Sequence, residues 1–169
     1  MTGAPAARLA DPLYGPAFGS YAADDVAWLL KDLSHAELEA PTAEREQAIQ
    51  SGRAHYAESL PIEFQPDEAY TALFHRAVED SSTRLAHAVG LVCGLVAAEQ
   101  GFDAARPPVL VSLARAGTPV GILMRRWFTA AGVDAPHYTI SIVRGRGIDA
   151  NALTWIAAHH DSRDVVFVD

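Results

Sequence analysis

Cysteine is nearly missing from this chain: Cys93 is the only one in 169 residues. That excludes an internal disulfide framework and suits a reducing compartment. Basic runs are missing as well, so nothing offsets the net charge of −8 and the pI near 5.2. Broad electrostatic binding to duplex nucleic acid or to an anionic membrane is therefore not expected, and any anionic ligand must meet a local basic site. No cationic-plus-apolar leader segment is visible, and no uninterrupted apolar run reaches about 18 residues. Together these absences point to a cytoplasmic protein with no membrane partner.

With 50% hydrophobic and 20% charged residues, the chain can bury a proper core in one globular domain, with room for a small helical appendage. Residues 1–19, punctuated by proline and by Gly15 and Gly19, read as a loosely ordered lead-in. Residues 20–105 read as a helical region. Ser20 can cap a helix over 22–33, where Val26, Leu29, Leu30 and Leu33 recur at helical spacing and Asp24 and Asp25 suit the N-terminus. A polar second helix is expected over Thr42–Gln50, stopped by Gly52. From Asp67 to Gln100 the pattern is helical again, with one stripe through Tyr70, Leu73, Phe74, Ala77 and Val78 and another through Leu85, Val89, Val92, Cys93 and Val96. The step at Asp80-Ser81-Ser82 either separates two helices or bends one. Between these helices, His55, Tyr56 and Glu58 bring an imidazole, a phenol and a carboxylate together. They read as a proton-transfer or substrate-binding group, or as a polar connection.

Residues 106–169 alternate cleanly: strand 109–113, helix near 118–131, strand 137–143, helix near 149–160, strand 164–168. Short Val- and Ile-rich strands between amphipathic helices predict a βαβαβ parallel sheet, with its ligand site at the C-terminal strand ends. Polar residues collect at those ends. Ala114, Arg115, Ala116, Gly117 and Thr118 follow the first strand. There a strand-to-helix turn gathers backbone N–H groups at the positive end of a helix, and a glycine lets an anion approach. Alternatively Gly117 merely permits the turn, with Thr118 and Pro119 as N-cap and first helical residue. Arg144 and Arg146, set among glycines and followed by Asp149, come after the second strand, either as ligands or as a solvated loop. Asp169 follows the third.

The segments 109–121, 137–149 and 164–169 resemble the core of type I phosphoribosyltransferases. The resemblance is closest to the branch in tellurium-resistance and stress gene clusters, also named the tellurite-like stress-resistance cysteine protease StiP family. It extends upstream through Phe18-Gly19-Ser20-Tyr21, Ile49-Gln50-Ser51-Gly52 and His55-Tyr56-Ala57-Glu58, covering roughly 18–169. It implies an α/β fold whose N-terminal helical region precedes a phosphoribosyltransferase-type βαβαβ core, truncated after the third core strand. It further implies that residues 114–118 bind the pyrophosphate of phosphoribosyl pyrophosphate or a nucleotide-like ligand together with Mg²⁺, that Arg144, Arg146 and Asp169 carry the catalytic work, and that His55, Tyr56 and Glu58 form an acceptor site under a hood.

The phosphate-holding loop of that family would lie beyond Asp169, so this stretch alone is expected to be inactive. An uncovered apolar sheet edge also calls for a homodimer or for association with a missing C-terminal half. Two alternatives stand beside the transferase: a StiP-type cysteine protease using Cys93, or a non-catalytic phosphate-binding module. The stripe position of Cys93 favours a buried, inert thiol. Adjacent histidines at His159 and His160 point about 100° apart on a helix and are not expected to share a metal. Trp28, Trp127 and Trp155 read as core or interface anchors on helices.

Overall fold

The computed structural model describes residues 10–36, 38–53, 60–62, 64–143 and 145–169. Its centre is the expected alternation: β5 (Val109–Ala114), α3 (Gly117–Ala130), β6 (His137–Val143), α4 (Ala150–His159) and β8 (Val165–Val168). β5 pairs in parallel with β6 through Leu110↔His137 to Ala114↔Ser141, and with β8 through Val109↔Val165 to Ser112↔Val168. β8 therefore forms one edge, with β5 inside it.

Side chains alternate across the sheet, so successive residues of β5 feed different cores. Val109 and Val111 join Ala152, Trp155 and Ile156 of α4 on one face. Leu110 joins Met124 and Phe128 of α3 on the other, together with Val89 and Cys93 of the long helix α2 (Glu68–Gln100). Strands buried on both faces read as continuous apolar runs, which is why this half of the fold was visible in sequence.

The remaining strands were not. Two short ones, β1 (Leu13–Tyr14) and β2 (Ala27–Leu29), extend the sheet beyond β6, giving the order β1-β2-β6-β5-β8. β1 is antiparallel to β2 and β2 is parallel to β6, so the sheet is mixed. The helix expected over 22–33 is thus corrected to a turn followed by a strand. Its apolar spacing suited a helix, but Val26, Ala27 and Leu29 are all buried, and pairing with Tyr138, Thr139 and Ile140 satisfies the backbone that a helix would have satisfied locally. Trp28 accordingly sits on a strand, between Phe18 and Tyr21.

Among the described residues, four α-helices complete the architecture. α1 spans Thr42–Gln50 as expected, with Gly52 at φ +70° just past its end. α2 is one continuous helix, so Asp80-Ser81-Ser82 neither separates nor ends it. Asp67 starts it by accepting from the Tyr70 N–H at 2.8 Å. By length and composition α2 is apolar enough to cross a membrane, with a mean hydropathy of 1.3 over its most apolar window. Val89 and Cys93 nevertheless belong to the core described above. The chain clusters into two compact units, residues 1–31 with 83–169, and residues 32–82. The smaller contains α1 and a two-stranded parallel pair, β3 (Glu39–Ala40) with β4 (Leu60–Pro61).

Candidate functional site

The C-terminal ends of β5, β6 and β8 lie side by side, as the parallel registers require. β5 leaves the sheet at Ala114, which a cis peptide joins to Arg115. Arg115 and Ala116 are exposed, whereas Gly117 and Thr118 are buried. Gly117 meets the end of β8: a Cβ there would collide with the Val168 carbonyl and lie 3.2 Å from the Asp169 Cα. The glycine is thus fixed by helix-to-strand packing, and it brings Asp169 against the first turn of α3.

Thr118 is not the cap of that helix. The cap is Ala116, which provides no side-chain bond, and the Thr118 hydroxyl instead pairs with that of Thr139 at 3.0 Å in the buried interior. Asp149 does act as a cap, its Oδ1 accepting from the N–H groups of Asn151 at 2.8 Å and Ala152 at 3.3 Å at the start of α4.

After β6 the chain turns straight back on itself. A two-residue strand β7 (Gly147–Ile148) pairs antiparallel with Ile142 and Val143, so the expected basic loop is a tight hairpin. Gly145 at φ +78° and Gly147 at φ +96° supply its left-handed backbone. Arg146 lies in this turn, exposed, its N–H donating to the Val143 carbonyl at 2.9 Å. Arg144, His55, Tyr56 and Glu58 lie outside the described residues. Among the described residues, no three His, Cys, Asp or Glu side chains gather to hold a metal ion.

One polar arrangement was missed in sequence. Ser112 of β5 and His137 of β6 are buried and meet at 2.5 Å, Oγ to Nε2. His137 Nδ1 lies 2.9 Å from the carbonyl oxygen of Asp25. A carbonyl only accepts, so Nδ1 carries the proton and Nε2 accepts from the serine hydroxyl. Burial pushes the imidazole down to about 4, with the bond to Asp25 opposing that shift. A Cβ at Gly121 of α3 would collide with both side chains, so that helix approaches to close range. Asp25 also binds Arg126 of α3 through two contacts of 2.8 and 2.6 Å. The hydrogen-bonded guanidinium holds the carboxyl below its usual range. The available signal was a serine inside an apolar strand and a histidine opening another, since a polar group in a doubly covered strand needs a partner.

The second histidine cluster packs as well. His159 stacks on Trp155 with centroids 3.9 Å apart, and His160 Nε2 meets the Tyr138 hydroxyl at 2.9 Å. Cys93 is 0% exposed among Val89, Leu110, Met124 and Phe128. Burial raises its thiol to about 11.

A family model described as the tellurite-like stress resistance cysteine protease StiP matches residues 19–169. The curated protein named cysteine protease StiP from Acinetobacter baylyi is 41% identical over 151 residues, or 89% of this chain, which spans 38% of that relative's length. No solved structure matches the chain. Both matches carry the protease name, and they overturn the phosphoribosyltransferase function with its phosphoribosyl pyrophosphate or nucleotide-like ligand. Gly117 packs against Val168, the Thr118 hydroxyl pairs with that of Thr139, and Asp149 caps α4. Across nearly its whole length, this chain belongs to the StiP stress-resistance family.

Proposed function

We propose that this chain acts in stress resistance as the α/β body of a StiP-type cysteine protease, in a reducing, cytoplasmic setting, and that it does not itself supply the thiol nucleophile. Family membership supports the protease reading. The burial of Cys93 carries the rest. A nucleophilic thiolate needs access to substrate and a depressed pKa, from a neighbouring cation or a helix N-terminus. Cys93 has neither access nor a lowered pKa: it is fully buried, late in a 33-residue helix, with its thiol raised to about 11. At pH 7 roughly one molecule in ten thousand would carry the thiolate.

In this reading the sheet's C-terminal edge, with Arg115, Arg146 and Asp169 exposed, contributes polar contacts to a site completed by residues outside these 169. The relative's much greater length leaves room for them. The test is Cys93→Ala and Cys93→Ser in the complete protein, assayed for peptide hydrolysis and for growth under tellurite. Both should retain activity, with stability lower by about 1–3 kcal/mol, from vacated space in the alanine variant and from a buried hydroxyl in the serine variant. Native Cys93 should resist iodoacetamide until denaturant is added. Loss of hydrolysis by a folded Cys93→Ser variant, or rapid labelling of the native thiol, would overturn the proposal.

A further inference from the structure

The edge strand β8 carries apolar surface on both of its faces. On the α4 side Phe167 is 52% exposed. On the α2 side Val166, with Val96 and Phe102, forms the apolar part of a cleft of about 230 Å³ that Glu99, Gln100 and Arg163 also line. Helical geometry extends that surface along α2. A Cβ at Gly90 would touch Trp127 of α3, so that flank of α2 faces its neighbouring helix. At 100° per residue, Val92 and Leu95 project from the other flank, the one that Val96 continues toward β8. They are 48% and 61% exposed.

The strand between these patches is held at its start. Arg106 donates to Asp164 at 2.8 Å, to the Gln100 carbonyl at 2.8 Å and to the Arg163 carbonyl at 3.2 Å, while its guanidinium lies over Phe102. Among the described residues, β8 pairs only with β5, so its outer backbone is a fixed template for another strand.

We propose that the outer edge of β8, with Phe167 on one side and Val92 and Leu95 on the other, seats a further β-strand from a StiP polypeptide region outside these 169 residues. Apolar cover is needed above and below a row of backbone donors and acceptors. A lipid surface cannot supply the hydrogen bonds, whereas an added strand with its own covering segments supplies both. The same family provides the chain: the Acinetobacter baylyi relative is matched over only 38% of its length. This inference rests on family membership and not on the protease reading, so it survives or fails independently of the Cys93 experiments.

The test is co-expression of this chain with the unmatched region of that relative, followed by co-purification, sedimentation and hydrogen exchange. A 1:1 complex is expected, with the amides of 165–168 at least tenfold slower in exchange than in the chain alone. Phe167→Lys and Leu95→Lys should each lower recovery of the complex about tenfold. Tyr14→Lys, on the opposite edge, should not. Thermal unfolding of each variant checks that it is folded, and the exchange measurement on the unsubstituted chain decides the matter if one is not. Absence of a complex, a complex indifferent to both lysines, homodimers of this chain at pH 7 that Phe167→Lys dissociates, or flotation of the chain with phosphatidylglycerol vesicles would each overturn the proposal.

Discussion

His137 holds together three parts of the sequence that lie far apart: the loop at Asp25, β5 through Ser112, and β6, which it opens. It does so as a neutral imidazole, which makes the arrangement sensitive to acid. Its folded value lies near 4, against an ordinary value of 6.5. Between those limits the unfolded chain binds a proton that the folded chain does not, so stability falls as pH drops through that window. The full loss attributable to this group is about 3 kcal/mol, at about 1.4 kcal/mol per shifted unit. Urea midpoints measured from pH 7 to 4 should decline steadily, and His137→Gln should flatten much of the decline while lowering the midpoint at pH 7. His160, also lowered by burial, accounts for part of any slope left over. The bond of Asp25 to Arg126 titrates below this window, since that carboxyl is held under its ordinary value. An undiminished slope in His137→Gln would place the acid sensitivity elsewhere.

At the scale of elements, α3 is set by what it can approach. Gly117 lets its first turn touch the end of β8, where the obstructing atom is a backbone carbonyl that no rotamer change can move. Gly117→Ala should therefore displace β8 from the helix and cost about 3 kcal/mol, at the upper end of overpacking. The melting temperature should fall by about 2–4 °C per kcal/mol. Faster exchange is expected to concentrate in β8, and a variant as stable as the parent would refute this packing role.

The same elements show how far the sequence can be read. β5, α3, β6, α4 and β8 were legible because each is a short apolar or amphipathic run bounded by glycine, proline or a cap, and each packs on near neighbours in the chain. α1 was legible from its polar composition and Gly52. β2 was not: three residues cannot display a period, and the partner that makes them a strand begins at Tyr138, more than a hundred residues away. The gathering of polar residues at the strand ends was legible for the same reason the strands were. The close packing of Gly117 on β8 was not, because a glycine that admits a ligand and one that admits a neighbouring carbonyl look alike in sequence. Cys93 was placed correctly by its stripe with Val89, which the core cluster shares.

For the molecule as a whole, charge and apolar surface act against each other. A net charge of −8 opposes association at neutral pH, while Phe167 and Leu95 lie largely exposed beside an open strand. Near the pI of about 5.2 the repulsion vanishes, and attraction through this edge should dominate. Light scattering of this chain should therefore rise steeply as pH approaches 5.2 and fall again below it. Acid destabilisation through His137 operates over the same range, so the two causes must be separated. Association of folded chains leaves the circular dichroism unchanged while scattering rises, and it reverses when the pH is restored. Phe167→Gln and Leu95→Gln alter no charge, so they should suppress the scattering without moving the pH of its maximum. If scattering instead follows the loss of native dichroism and ignores both substitutions, the unfolded chain is the associating species, and the β8 edge is adequately protected as it stands.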